Sequence, residues 1–161
     1  MEIVKITGRA PDIAAANEII AAAILTWSVS DRVRRLVADT YRYHADDAAD
    51  VWLGRVDGRP VGVLGLLQAG GAARELPVDS SLLHGLFVSP DHFGKGVGSA
   101  LVRHALGVAA GAGSTQLLVK ANRDARLFFE RVGFEKTDLI DYPHAYVMKI
   151  ALPDRPAPAE D

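Results

Sequence analysis

Two features of this 161-residue chain could do chemistry together: a run of glycines, and a histidine in the apolar stretch just before it. The apolar stretch is Leu82 to Val88, bounded by Ser80-Ser81 and by Ser89-Pro90, which is how a buried strand reads. The glycine run is Gly94-Lys95-Gly96-Val97-Gly98, and Ala100, Leu101, Val102, Ala105 and Leu106 follow it at helical spacing. A strand therefore ends, a glycine-rich turn follows, and a helix begins inside the turn. Glycines let a backbone approach a ligand closely, and the free N–H groups and positive dipole end of the helix's first turn point at whatever sits there. The ligand this predicts is a phosphate or pyrophosphate; a purely structural turn is the plainer reading. His84 is the only histidine on the strand, and an imidazole can take a proton near neutral pH.

Spacing separates the kinds of phosphate turn. A P-loop needs Lys followed by Ser or Thr after its second glycine, whereas Lys95 is followed by Gly96. A dinucleotide fingerprint has its first glycine at the strand end and an acid about 20 residues further on. Here Ser89 to Phe93 intervene, and the segment near Ser114 carries no acid. What remains, Leu86-Phe87-Val88-Ser89-Pro90 and then Gly94 to Gly98, resembles the acetyl-CoA-binding motif of the GNAT superfamily of N-acetyltransferases. The resemblance implies that Leu86, Phe87 and Val88 carry the pantetheine arm. It also implies that Phe93, Gly94, Lys95, Gly96, Val97, Gly98 and Ser99 surround the pyrophosphate.

About 25 residues on lies Asn122-Arg123-Asp124-Ala125-Arg126-Leu127-Phe128-Phe129-Glu130-Arg131-Val132-Gly133-Phe134. Alone this is an amphipathic helix with good caps. After the phosphate turn it resembles the second GNAT signature, an Asn, an Ala three on, then Phe-Tyr-Glu and a closing Gly-Phe. Asn122 and Phe129 thereby join the implied cofactor site. Two positions depart from the pattern: Phe93 stands where Gln or Arg is usual, and Phe129 where many members have the Tyr that protonates the leaving CoA thiolate. The first removes a side-chain contact from a site built mainly of main-chain N–H groups. The second leaves the proton to Tyr142, Tyr146, His144 or water.

The implied reaction is attack of a neutral amine on the thioester carbonyl of acetyl-CoA, without a metal. By resemblance the donor to the carbonyl oxygen is the main chain at Leu86, with Phe87 and Val88 pairing the pantetheine like an added strand. The amine must first lose a proton, and His84, at the position proposed as a water-linked base in arylalkylamine-acetylating relatives, is the candidate. The alternative is a histidine placed in the strand by packing alone.

These residues need a scaffold, and the chain is the size of one domain with a core, 49% hydrophobic and 24% charged. A net charge of −2 gives no reason to expect nucleic acid or a membrane as partner. With no cysteine there is no disulfide, thiolate nucleophile or thiolate metal site, and with no apolar span or signal-like start a cytoplasmic location is expected.

Glu2 to Thr7 reads as a first strand. Asp12 reads as the cap of a helix running to about Trp27, and Ser30-Asp31 restarts a helix with Val33, Leu36, Val37 and Tyr41 on its apolar face and Arg32, Arg34 and Arg35 outside. Val51 to Val56 and Val61 to Leu67 flank Asp57-Gly58-Arg59-Pro60 as a hairpin, and Gly70 to Ser80 is a loop. Gln116 to Lys120 is another buried strand, and Phe134 and Tyr146 to Leu152 supply the last ones.

The resemblance thus implies an α/β (α+β) GNAT fold, a mixed twisted sheet of six to seven strands with about four helices, splayed where the cofactor inserts. The domain spans residues 1–152, and 153–161 form a disordered, acidic, proline-rich tail. The two early helices form one wall of the acceptor site, with Trp27, Tyr41, Tyr43 and His44 as candidate readers of a small amine; core packing is the alternative for each. A protein lysine or N-terminus remains an alternative acceptor, a weakly catalytic acetyl-CoA-binding module an alternative function, and a homodimer an open assembly.

Overall fold

The structure, a computed structural model, describes residues 1–47, 50–68, 76–139 and 146–153. Tyr142, His144, the first part of the Gly70 to Ser80 loop and the tail beyond Pro153 lie outside the described residues. Strands β1 (Glu2–Lys5), β2 (Asp50–Val56), β3 (Arg59–Leu67), β4 (Ser80–Val88), β5 (Gln116–Ala121), β6 (Glu135–Lys136) and β7 (Tyr146–Ala151) form one open sheet in the order β1-β2-β3-β4-β5-β7-β6. All neighbours are antiparallel except β4 and β5. Helices α1 (Ala10–Leu25) and α2 (Asp31–Tyr41) cover one face, and α3 (Val97–Gly111) and α4 (Arg126–Arg131) the other, each burying its own apolar cluster. The expected GNAT architecture is therefore present, with seven strands and four α-helices among the described residues. Among the described residues no helix is long and apolar enough to cross a membrane.

Local chemistry explains the boundaries. A two-residue turn of Asp57 (φ 49°) and Gly58 (φ 75°) closes the β2–β3 hairpin, the left-handed pair that suits twisted strands. The cap of α1 is Arg9 rather than the expected Asp12, because Pro11 fits the first turn of a helix and draws its start forward. Asp12 sits within that turn and pairs with Arg55 at 3.1 Å. Ser30 caps α2 as expected, its Oγ accepting the Val33 N–H. The predicted apolar face of α2 divides: Val37 and Tyr41 pack on the sheet with Ala38, while Val33 and Leu36 are exposed. Arg34, expected in solvent, instead donates to the Trp27 carbonyl at 2.8 Å and pairs with Asp31 at 2.7 Å, tying α2 to the end of α1.

The site depends on how β4 parts from its neighbours. Its parallel ladder with β5 runs only from Ser80↔Gln116 to Leu83↔Val119. Polar contacts pin that end: the half-buried Gln116 amide donates to Ser80 Oγ at 2.8 Å, and the buried Ser81 and Ser114 hydroxyls lie 2.7 Å apart. Beyond Leu83 the strands have no shared ladder, so one edge of β4 is left without a strand partner. On the other edge β3 pairs Gly65 with Gly85 but Leu66 with Leu83, a bulge that leaves His84 unpaired there too. The bulge resets the alternation of side chains. Leu83 and Leu86 face α3, whereas Phe87 faces α1.

Candidate active site

A cleft of about 570 Å³ lies at the open end of the fork. Its floor is Leu86, Phe87 and Val88, its far wall the turn from His92 to Ser99, and its sides the end of α1 (Ala23, Thr26, Trp27) and the α4 segment (Asn122, Asp124, Ala125, Phe128, Arg131). Gly94 and Gly96 are left-handed at φ 72° and 80°, and a Cβ at either would meet nothing within 4 Å. Backbone conformation, not crowding, therefore requires glycine, and the space in front of both is open. Gly96 is the residue before α3, so no side chain caps that helix and its first N–H groups remain available to an anion. Gly98 serves packing instead, since its Cβ would lie 3.1 Å from the Phe128 ring.

Most expected cofactor residues converge here: Leu86, Phe87, Val88, Phe93, Gly94, Gly96, Val97, Gly98, Ser99 and Asn122 all line the cleft. Lys95 is exposed and not in the lining. The expectation for Phe129 needs correction: its ring is 4% exposed, in edge-on contact with Phe128 at 5.1 Å and Phe134 at 5.3 Å, and belongs to the core beneath α3. The phase of α4 turns Phe128 to the cleft and its neighbour to the core. Arg131, one turn beyond Phe128, shares its face, and helical spacing alone could have pointed to it. His92 and Asp124 were also missed. Asp124 accepts the Ser28 N–H at 3.0 Å across 96 positions of sequence, joining the α1–α2 turn to the approach to α4, a contact with no sequence signature. Asn122 accepts the Ala125 N–H at 2.7 Å and shapes the same approach.

His84 does not line the cleft but lies on the α1–α2 face of β4, in a row of rings. Its ring lies 5.8 Å from Tyr41, Tyr41 is edge-on to Phe87 at 5.2 Å, and Trp27 stacks on Phe87 at 6.2 Å. Phe87 thus belongs both to the cleft and to the row. Burial lowers the pKa of His84 below the usual histidine value, Asp47 opposes this and Lys120 reinforces it. The imidazole is therefore neutral at pH 7 and able to accept a proton. Of the other candidate readers, Trp27 and Tyr41 are half-buried, His44 is exposed with its N–H on the Asp47 carboxylate at 2.5 Å, and Tyr43 is buried. Tyr146 is 39% exposed and carries the Arg126 guanidinium over its ring at 5.3 Å. An anion cradle, an unpaired strand edge and a neutral imidazole behind that strand could bind a phosphate-bearing chain and deprotonate a nucleophile beside it.

The profile of the acetyltransferase (GNAT) family matches residues 17–134, well over half of the chain. No curated protein sequence matches it. Among solved structures, the PaiA N-acetyltransferase of Thermoplasma acidophilum in complex with coenzyme A is 13% identical, with a TM-score of 0.73 over 94% of this chain and 99% of that one. A GNAT family acetyltransferase of Brucella melitensis in complex with acetyl-CoA is 23% identical, with a TM-score of 0.63 over 96% and 92%. The GCN5-related N-acetyltransferase of Rhodopseudomonas palustris is 20% identical, with a TM-score of 0.70 over 94% of this chain and 95% of that one. At these identities the likeness is one of fold.

Proposed function

The chain belongs to the GNAT acetyltransferase family, and from that premise we propose that it transfers the acetyl group of acetyl-CoA to the primary amine of a small molecule by direct attack. The observation that carries this reading is the fork: an unpaired β4 edge that leads from an open glycine cradle to His84. The residues present fit acetyl-CoA, because the space before Gly94 and Gly96 is free and the α3 N-terminus is uncapped. When bound, acetyl-CoA supplies the reactive thioester carbonyl.

The protein's own groups do the rest. The N–H groups before and within the first turn of α3 would hold the pyrophosphate, with Arg131 as a cation lining the same cleft. Leu86 and Val88, whose main-chain groups point away from β3 while those of Phe87 pair with Val63, would offer them to the pantetheine arm, and the Leu86 N–H would stabilise the negative charge that grows on the carbonyl oxygen. His84 takes the ammonium proton of the acceptor, a task for which its lowered pKa keeps it unprotonated at neutral pH. Phe129 has no hydroxyl to give the departing thiolate, so that proton comes from Tyr142, Tyr146, His144 or water.

The test is thiol release from acetyl-CoA against a panel of amines, polyamines, amino acids and peptides. Turnover on a small amine is the expected result. Turnover on peptides alone assigns a protein acceptor, and binding of acetyl-CoA without turnover on any member assigns a binding module.

A further inference from the structure

The bulge at His84 has a second occupant. Tyr43 is 3% exposed, and its hydroxyl sits directly over the Gly65–Gly85 pair: a Cβ on Gly65 would lie 2.0 Å from the phenol oxygen, and one on Gly85 3.1 Å. The phenol reaches this spot because Asn17 grips the Tyr43 backbone at both ends, its amide donating to the Tyr43 carbonyl at 3.0 Å and its oxygen accepting the Tyr43 N–H at 2.9 Å. Yet among the described residues the hydroxyl itself has no hydrogen-bond partner. Two glycines facing each other across the sheet thus make room for a polar atom that then bonds to nothing among the described residues. A buried hydroxyl left unpaired costs about 1–3 kcal/mol, and a bound water is the ordinary remedy.

The neighbourhood says what that water could do. Gly85 adjoins His84, which has no register partner on β3 or β5. Tyr41 packs on the His84 ring, while Asp47 acts electrostatically on both His84 and Tyr43, and Lys120 of β5 acts electrostatically on His84. Tyr43 is pushed up in pKa by burial, then by Asp47 and Tyr41, so its hydroxyl keeps its proton throughout. It is a fixed dipole, not an acid.

We propose that Tyr43 is a positioning residue for the transfer, its hydroxyl holding the water through which His84 takes the proton of the acceptor amine. The inference rests on the proposed role of His84. The proton balance is closed: an N–H bond of the ammonium breaks, the water passes a proton on, an N–H bond forms on the imidazole, and Tyr43 neither gains nor loses one. The C–N bond then forms and the C–S bond breaks as described above.

Tyr43→Phe deletes the one oxygen and keeps the ring. With a turnover-competent amine, the rate at subsaturating amine should fall roughly tenfold, less than the 10²–10⁴ expected for loss of the base itself. The acid limb of the pH profile should shift, the KM for acetyl-CoA should stay put and the melting midpoint should scarcely move. His84→Gln/Tyr43→Phe should be no slower than His84→Gln alone. A crystal structure of the wild-type protein should show a water within hydrogen-bond distance of Tyr43 Oη and a ring nitrogen of His84. A dry phenol there, or a Tyr43→Phe protein that is more stable and fully active with an unchanged pH profile, overturns the proposal. If His84→Gln is itself fully active, the base reading fails first, and the two failures are distinguishable.

Discussion

The two faces of β4 are built from different materials. Toward α3 and the glycine turn, the cleft is a main-chain device, left-handed glycines, an uncapped helix start and a strand edge without a partner. Toward α1 and α2, the site is a side-chain device: Trp27, Phe87, Tyr41, His84, Tyr43 and Asp47 come from three stretches of sequence and meet only in the fold. A main-chain site must be written in glycines at fixed spacing, because few other residues allow that backbone. A side-chain site can be assembled from many residue types, so it constrains the sequence weakly. One face is therefore readable as a cofactor site, while the other leaves the acceptor open.

The strongest way to break this contrast is to fill the cradle. Gly96→Glu puts an anion and a Cβ into the open space before α3, and acetyl-CoA affinity measured by calorimetry should fall below detection. Because Gly96 has φ 80°, any side chain there also strains the backbone by about 1–2 kcal/mol. Gly96→Ala carries that strain without the charge, and should keep measurable binding. Equal loss in both variants would mean that backbone shape alone, not room for a pyrophosphate, is what Gly96 provides.

On the other face, His84→Gln should lower turnover about 10²–10⁴-fold with acetyl-CoA affinity nearly unchanged. A histidine kept for packing would instead lose stability and keep its rate per folded molecule. The pH dependence gives a smaller, independent effect. The folded pKa of His84 is depressed, so below the usual histidine range the unfolded chain binds the proton that the folded one resists. Its contribution to stability is intact above about pH 6.5 and declines as the pH falls through that range. Denaturant unfolding at several pH values should show a shallower acid decline in His84→Gln. Some slope should persist, because burial lowers the pKa of His104 as well.

How far the sequence reached follows the same division. The hairpin at Asp57-Gly58 and the helix starting in the glycine turn were legible because each needs a backbone that few residues allow. The bulge at His84 was not, since nothing in Leu83-His84-Gly85 marks which residue will lose its partner on β3. Nor was the start of α1 legible at Arg9, where Asp12 is the better cap by type and only the geometry of Pro11 decides. The bond from Ser28 to Asp124 and the seat of Tyr43 over Gly65 join residues far apart in sequence, and no local pattern announces either.

The smallest expected effect on activity comes from the motif residue that the fold moved out of the cleft. Phe129 occupies the position where relatives of this pattern carry a tyrosine, and by the motif alone Phe129→Tyr would restore a proton donor and raise turnover. The structure reverses the emphasis. The ring is packed between Phe128 and Phe134 in the core beneath α3, so a new hydroxyl must either find a partner or remain desolvated at about 1–3 kcal/mol. Phe129→Tyr should therefore lower the melting midpoint and leave turnover per folded molecule unchanged. Phe128→Tyr, whose ring borders the cleft and can direct a hydroxyl into it, should be the milder change for stability. A stable and faster Phe129→Tyr enzyme would mean that binding acetyl-CoA draws this ring out of the core, and the boundary between the two faces of β4 would then have to include α4.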